Sequence, residues 1–182
     1  MKWIFEPGHS AAEFRARHMM VTWVRGSFKN VNGTLDFDPV DPRQLAVEAV
    51  IDASTCWTGV QARDDHLRSP DFLSCEQYSK IRFKSTGVVE IGPVDFQVTG
   101  NLTIRDVTRP VTLDVRYLGS WQTPWWEDGV DKGPKLRAGF TCRTRIDRYD
   151  FGVSWNDTMS DGGVVVSPEI EIVIDVEAVK ED

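Results

Sequence analysis

The sequence predicts an all-β fold, and three observations support this. Apolar and polar residues alternate with a period of two in several long stretches, for example over residues 111–117. Turn residues such as Asn32-Gly33 and Gly92-Pro93 separate these stretches. Each stretch has one apolar face and one mostly polar face, as strands that cover a core do.

Eight strands are expected from this alternation, and they leave two architectures open. A closed barrel and a sandwich both bury one face of each strand, but closure also removes the exposed sheet edges. The expected strands lie at 12–17, 34–38, 45–52, 80–86, 94–104, 111–117, 136–143 and 169–177.

Two segments depart from the alternation. Residues 61–68 contain no β-branched residue and precede Pro70, so we expect a short helix there, with Thr58 as a possible cap. Residues 119–135 combine glycine, proline, charge and three tryptophans, which is typical of a long hairpin loop or an insertion at a barrel rim.

Length and charge narrow the class of protein. A chain of 182 residues suits one domain, over 1–182. The net charge of −7 argues against a nucleic-acid partner and against electrostatic docking on an anionic membrane. The apolar start is too short for a secretory signal, and no window approaches the length of a membrane span. We therefore expect a cytoplasmic protein without stable membrane insertion.

The sequence gives little support for a disulfide, a metal site or catalysis. Cys56, Cys75 and Cys142 are odd in number and lack CxxC spacing, and the three histidines match no metal-binding pattern. Cys75 or Ser69 with His66 is the single nucleophile–base pairing of interest. We expect no cofactor, no metal and no catalytic residue, so the chain is predicted not to be an enzyme.

Three stretches together resemble the YceI-like family of polyisoprenoid-binding proteins. They are H-S-A-A-E-F-R-A-R-H at 9–18, R-D-D-H-L-R-S-P-D-F at 63–72 and G-N-L-T-I-R-D-V-T-R-P-V at 100–111. A weaker match, R-Y-D-F-G, follows at 148–152. The matches occur in family order across nearly the whole chain.

The resemblance implies a lipocalin-like, eight-stranded antiparallel barrel with a short helix near its mouth, enclosing an isoprenoid lipid of the polyprenyl or quinone type. Transport or storage of that lipid is the function it implies. The chain departs from the family pattern at Trp125-Trp126, and at Asp106, where glycine is common.

The apolar face supplies the candidate lipid-binding residues. Alternation alone cannot distinguish residues that line a cavity from residues that fill a core, and only the resemblance favours lining. The candidates are Phe14, Leu35, Phe37, Ile51, Phe83, Phe96, Val98, Leu102, Leu113, Val115, Phe140 and Ile172.

Four basic side chains are candidates for binding a polar head group at the mouth: His9, Arg63, His66 and Arg68. Arginine suits phosphate oxygens because its guanidinium offers a fixed fork of donors. In the alternative interpretation, Arg63 and Arg68 form salt bridges with Asp64 and Asp65 that tie the helix to the barrel, and His66 is a buried, satisfied histidine.

Trp121, Trp125 and Trp126 suggest a second function. They are expected to form a lid over the mouth, a membrane-touching tip or a partner surface, unless they fold back as a small satellite cluster. The alternative to a lipid carrier is thus a filled-core barrel that binds a protein through this loop. A lipid-modifying enzyme is a weaker alternative, and homodimer formation is left open.

Overall fold

Twelve strands and one α-helix are present in the computed structural model, which describes residues 1–41 and 44–181. The helix is α1 (Gln61–Arg68), and short 3₁₀ turns occur at Pro7–His9, Ala53–Thr55 and Arg148–Phe151. The strands are β1 (Lys2–Phe5), β2 (Ala11–His18), β3 (Thr22–Lys29), β4 (Asn32–Asp36), β5 (Ala46–Asp52), β6 (Lys80–Glu90), β7 (Asp95–Ile104), β8 (Val107–Thr123), β9 (Trp126–Glu127), β10 (Val130–Asp131), β11 (Lys135–Asp147) and β12 (Val166–Lys180).

Antiparallel pairing closes the sheet into an eight-stranded barrel. The ring runs β1-β4-β5-β6-β7-β8-β11-β12, and β12 pairs back onto β1. The β2–β3 hairpin continues the wall beyond β1 because β2 pairs with the first half of β12. The expected antiparallel barrel with a short helix is therefore confirmed.

Strands β1 and β3 are not predicted by the alternation of the sequence. The first strand has only four residues, too few to show a period of two, although Trp3 and Phe5 point inward and are buried. In β3, Gly26 interrupts the apolar face between Val24 and Phe28, so the alternation is hidden.

The wall is continuous between β1 and β2 despite the 3₁₀ turn that separates them. Ser10 is buried, and its hydroxyl is within 3.2 Å of the Glu177 backbone nitrogen, which donates to it. The Glu6 nitrogen donates to the Glu177 carbonyl at 2.8 Å. These bonds hold both short strands against β12 and push Pro7–His9 outward.

One end of the barrel is filled with aromatic side chains. Trp3, Phe37 and Phe96 are almost completely buried, and the Trp3 indole Nε1 donates to the Phe37 carbonyl at 2.9 Å. The Phe37 ring packs against Tyr117 and Phe140, with centroids 5.0 and 5.2 Å away. This end of the barrel therefore has a packed core.

Helix α1 lies at the other end, near the start of β6 and the end of β11. Its N-cap is Val60, which makes no side-chain capping bond, so the expectation that Thr58 caps the helix is wrong. Thr58 instead donates to the carboxylate of Asp64, which lies in the first turn of the helix. None of the helices formed by the described residues has the length and apolar character to cross a bilayer.

Residues 119–135 form a β-hairpin extension, in which β9 and β10 pair at Glu127 and Val130. The extension continues β8 and β11 beyond the aromatic end, away from α1. The expectation of a tryptophan lid over the mouth is therefore wrong.

The structure also explains why Asp106 can stand where glycine is common in the family. The positive φ of the β7–β8 turn is at Arg105, so no glycine is required at position 106.

Trp3→Ala is expected to lower the free energy of unfolding by about 3–5 kcal/mol, because it empties the packed end and strips the Phe37 carbonyl of its donor. Trp3→Phe keeps most of the packing and should cost about half as much. Urea denaturation measures both. Trp121→Ala, at an exposed position, serves as the control and should change stability by roughly 0.5 kcal/mol or less. Equal losses for Trp3→Ala and Trp121→Ala would contradict this account.

Candidate functional site

The barrel encloses a cavity of about 480 Å³ that opens at the α1 end. Its wall is almost entirely apolar and is built from inward-facing residues of the strands, together with Leu67 of α1 and Phe72 just after it. This volume lies within the range of small-molecule binding sites, roughly 300–1,000 Å³. The core is therefore not filled, and the filled-core interpretation of the alternating strands is wrong.

Ten of the twelve candidate lining residues border this cavity: Phe14, Leu35, Ile51, Phe83, Val98, Leu102, Leu113, Val115, Phe140 and Ile172. Phe37 and Phe96 do not; both belong to the packed aromatic end. Their side chains point inward like the others. Only their position along the barrel axis determines that they fill the packed end and do not line the cavity. Alternation carries no information about that axis.

Other cavity residues are not predicted by the sequence pattern. Val24 and Phe28 come from β3, whose pattern is hidden by Gly26. Phe72 and Trp155 come from segments outside the strands, where no periodicity marks an inward face. Phe72 does lie in the 63–72 motif, so that motif was the available signal.

Gly26 allows a close contact that shapes the cavity wall. A Cβ at this position would lie 2.3 Å from the ring of Phe14, and also 2.8 Å from the Thr58 methyl group. The Phe14 ring therefore lies over the backbone of β3, where it also packs against Phe28 at a centroid distance of 5.6 Å. Any larger residue would displace both the ring and the segment leading into α1.

The segment that carries α1 is anchored to backbone carbonyls by arginine. Arg68 Nε donates to the Ser54 carbonyl at 2.8 Å, and Nη2 donates to the Cys56 carbonyl at 2.6 Å. Arg63 Nε donates to the Thr58 hydroxyl at 2.6 Å. Asp64 is buried and accepts from the Thr58 backbone nitrogen at 2.8 Å. Hydrogen bonds to backbone carbonyls, more than the expected salt bridges, hold α1 as a cover over the mouth of the cavity.

The structure brings together only part of the head-group set. Arg63 and His66 border the cavity. Arg68 binds the Ser54 and Cys56 carbonyls and does not border it. His9 lies away from the mouth on the outer surface, with Nδ1 3.4 Å from a Glu177 carboxylate oxygen. The outward turn at Pro7–His9 interrupts the sequence motif that contains His9 and keeps His9 away from the rim.

His66 is part of an aromatic cluster at the mouth. Its ring makes edge contacts with Phe72 and Trp155, at centroid distances of 5.0 and 4.7 Å. Its Nε2 lies 2.8 Å from Asp71 Oδ2. The side chain is partly exposed, so the expected buried histidine is wrong, although the ring is satisfied.

Arg148 is buried beside the cavity and holds the loop that follows the last 3₁₀ turn. Its guanidinium donates to four carbonyls, those of Val153, Trp155, Val166 and Ser167, at 2.7 to 3.0 Å. Burial lowers the pKa of this guanidinium from its usual value, and the nearby Tyr149 and Asp147 oppose that shift. An arginine remains charged even so, and the carbonyl dipoles take the place of a carboxylate partner.

Ser69 and His66 do not form the nucleophile–base pair that the sequence suggests. The Ser69 hydroxyl donates to the His66 carbonyl at 2.7 Å, while the His66 ring faces Asp71. Burial raises the pKa of the Cys75 thiol and raises that of Cys56 to about 12, which disfavours both thiolates. Within residues 1–41 and 44–181, no three His, Cys, Asp or Glu residues are grouped as metal ligands.

A closed antiparallel barrel with one apolar cavity and a helical cover defines the class of small ligand-enclosing β-barrels. Comparison with known proteins is more specific, because residues 3–178 match the YceI-like domain. Protein YceI of Escherichia coli is 36% identical over 176 residues, which is 97% of this chain and 84% of that protein. The chain belongs to the YceI-like family.

Solved structures agree with this assignment. The YceI protein of Campylobacter jejuni superposes with a TM-score of 0.74 at 27% identity, covering 91% of this chain and 90% of that one. A polyisoprenoid binding domain from Saccharophagus degradans superposes with a TM-score of 0.64 at 12% identity, covering 98% of both chains. At that identity the second likeness shows the fold alone.

Arg148→Met is expected to lower the free energy of unfolding by about 3 kcal/mol, because it leaves buried carbonyls without donors. Arg148→Lys should recover only part of this loss, since one ammonium cannot reach all four carbonyls. Urea denaturation measures the change, and Arg143→Met, on the exposed side of β11, is the matched control. If the Arg148→Met variant were as stable as the Arg143→Met variant, this stabilising role of Arg148 would be contradicted.

Proposed function

We propose that this protein binds one isoprenoid lipid, with the prenyl chain in the barrel cavity, and carries or stores it. The observation that carries the proposal is the cavity itself: about 480 Å³, apolar in its wall, and open at one end. A chain threaded from the mouth would lie along the strands toward the packed aromatic end.

Burial of the chain supplies the affinity. Each CH₂ group removed from water contributes about 0.8 kcal/mol, so a few isoprene units outweigh the entropy lost on association. Membership of the YceI-like family and the likeness to a polyisoprenoid binding domain support the choice of an isoprenoid over other apolar chains.

In this proposal the polar end of the ligand lies at the mouth, near Arg63 and His66, which border the cavity. Among the described residues, two of the N–H groups of Arg63 are engaged by Thr58, which leaves donors for ligand oxygens. A polyprenyl phosphate and a quinone both present such oxygens. The charge of Arg63 favours the phosphate, whereas a quinone would rely on neutral hydrogen bonds.

The direct test is mass spectrometry of an organic extract from natively purified protein, with a detergent-washed sample as control. A stoichiometric prenyl lipid is expected in the first sample and not in the second. The extract also separates a polyprenyl phosphate from a quinone. A clean extract, together with no uptake of added isoprenoid, would refute the proposal.

Ala49→Phe is expected to weaken isoprenoid uptake by at least roughly tenfold, because Ala49 lines the cavity and a phenyl ring there would occupy the space of the chain. Ala46→Phe is the matched control, since Ala46 lies on the same strand with its side chain exposed on the opposite face. Uptake is measured with a fluorescent polyprenyl probe. If both variants bind like the wild type, the chain does not occupy this cavity.

The tryptophan hairpin supports a second candidate function, a protein contact. Trp121 and Trp126 are 60% and 62% exposed. Trp125 is half-buried, with Lys135 Nζ 5.0 Å and the Arg137 guanidinium carbon 5.2 Å from its ring centroid, so it supports the hairpin.

Trp121→Ala with Trp126→Ala is expected to abolish a partner contact at the hairpin and to leave isoprenoid uptake unchanged, because both rings lie at the end away from the mouth. Crosslinking followed by mass spectrometry measures the first effect, and the fluorescent probe measures the second. Partner crosslinks that survive the double substitution would contradict this candidate.

A further inference from the structure

The tip of the β2–β3 hairpin departs from local preference in two respects, its backbone geometry and the exposure of its side chains. The turn from His18 to Val21 is closed by a 3.1 Å bond from the Val21 nitrogen to the His18 carbonyl, and both central residues, Met19 and Met20, have positive φ, at 49° and 61°. Turns with two positive φ angles strongly favour Asn-Gly, because a longer side chain is strained there. The other non-glycine residues with positive φ in the described chain are polar: Asn30, Ser74, Arg105 and Asp128.

The same tip also exposes apolar side chains to water. Met19, Met20 and Val21 are 42%, 56% and 79% exposed. They follow one another in sequence, so they form one continuous apolar tip. Neither turn geometry nor packing favours these residues here, and this indicates that the tip meets an apolar environment outside the protein.

Basic and aromatic side chains lie directly behind the tip. On the outer face of the hairpin, Arg17 and Arg15 stack on the Trp23 ring with their guanidinium carbons 4.2 and 4.4 Å from its centroid. Arg25 is exposed next to them, opposite Arg15 in the register. Arg15 is engaged by Glu171, whereas no described carboxylate lies within ion-pair distance of Arg17 or Arg25. The only acidic residue between positions 11 and 29 is Glu13, although the chain as a whole carries a net charge of −7.

We propose that this hairpin tip, Met19-Met20-Val21 with Arg17, Trp23 and Arg25 behind it, docks on the surface of an anionic lipid bilayer. The apolar tip would enter the acyl boundary, tryptophan would lie at the level of the head groups, and the arginines would meet lipid phosphates. The acidic remainder of the barrel repels the same surface, so the contact is weak and reversible.

The position of the hairpin relates the docking to the cavity. His18, at the end of β2, and Val24, near the start of β3, both border the cavity, and the Met19 nitrogen donates at 2.8 Å to the carbonyl of Val165, which precedes the neighbouring strand β12. The docked orientation therefore turns the mouth toward the bilayer. The docking proposal does not require the isoprenoid proposal, because the hairpin is preformed in the fold.

Sedimentation with vesicles tests the proposal without any isoprenoid. Wild-type protein is expected to sediment with vesicles of phosphatidylethanolamine and phosphatidylglycerol, and much less with phosphatidylcholine alone. Met19→Asn with Met20→Gly supplies the favoured turn, so it should raise Tm by roughly 2–6 °C while weakening vesicle binding at least about tenfold. Improved folding with lost binding cannot be explained by damage to the fold.

Two matched controls separate the tip from general effects of charge. Met20→Asp should reduce vesicle binding, whereas Val89→Asp, an equally exposed valine at the end of β6 away from the mouth, should not. Arg25→Gln should weaken binding by roughly fivefold, and Arg143→Gln should have little effect. The proposal is overturned if the wild type fails to bind anionic vesicles, or if Met20→Asp and Val89→Asp bind equally. Either result would leave the cavity's affinity for isoprenoids, measured separately, unaffected.

Discussion

Strand β12 is hydrogen-bonded along both of its edges, and the rest of the barrel depends on this. One edge pairs with β11 from Asp147 to Arg137, and the other pairs first with β2 and then with β1. Ile170, Ile172 and Ile174 thereby face the interior, and a slip of one residue would turn Glu171 inward together with either Glu169 or Asp175. Carboxylates without partners in an apolar cavity would cost several kcal/mol. The register of β12 is therefore fixed, and with it the direction in which every neighbouring strand faces.

The two ends of the barrel are closed by different kinds of interaction. At the aromatic end, Trp3, Phe37 and Phe140 fill the space between the strands, and the Trp3 indole meets its one polar requirement at the Phe37 carbonyl. At the α1 end the cover is held by Arg68 and Arg148, which donate to backbone carbonyls. A cover anchored by polar bonds at its margin needs few apolar contacts beneath it. The apolar volume under it can thus stay open.

The fold class was predictable because a period of two survives in most strands. The prediction of individual strands failed where a strand was too short, as in β1, or where glycine removed an inward side chain, as at Gly26. The cavity wall was predictable in the same way, since inward residues of recognised strands lie along it. Phe37 and Phe96 show the limit of this reasoning, because the distance of a residue from the mouth depends on the tilt and shear of the whole barrel. The arginines show another limit: a sequence indicates a donor, but not whether a carbonyl, a carboxylate or a ligand will accept.

Several conflicts between local preference and the fold lie near the mouth of the barrel. Near the mouth, Arg148 is a buried cation held by carbonyls, and Met19 and Met20 occupy strained backbone with exposed side chains. At the aromatic end, Trp3 and Phe37 follow ordinary packing rules. Stability alone would favour Asn-Gly in the hairpin turn and an apolar plug in the opening. Because natural sequences tolerate such conflicts mainly where function requires them, their placement points to the mouth and its rim as the working end of the barrel, and to the aromatic end as the part that keeps it folded.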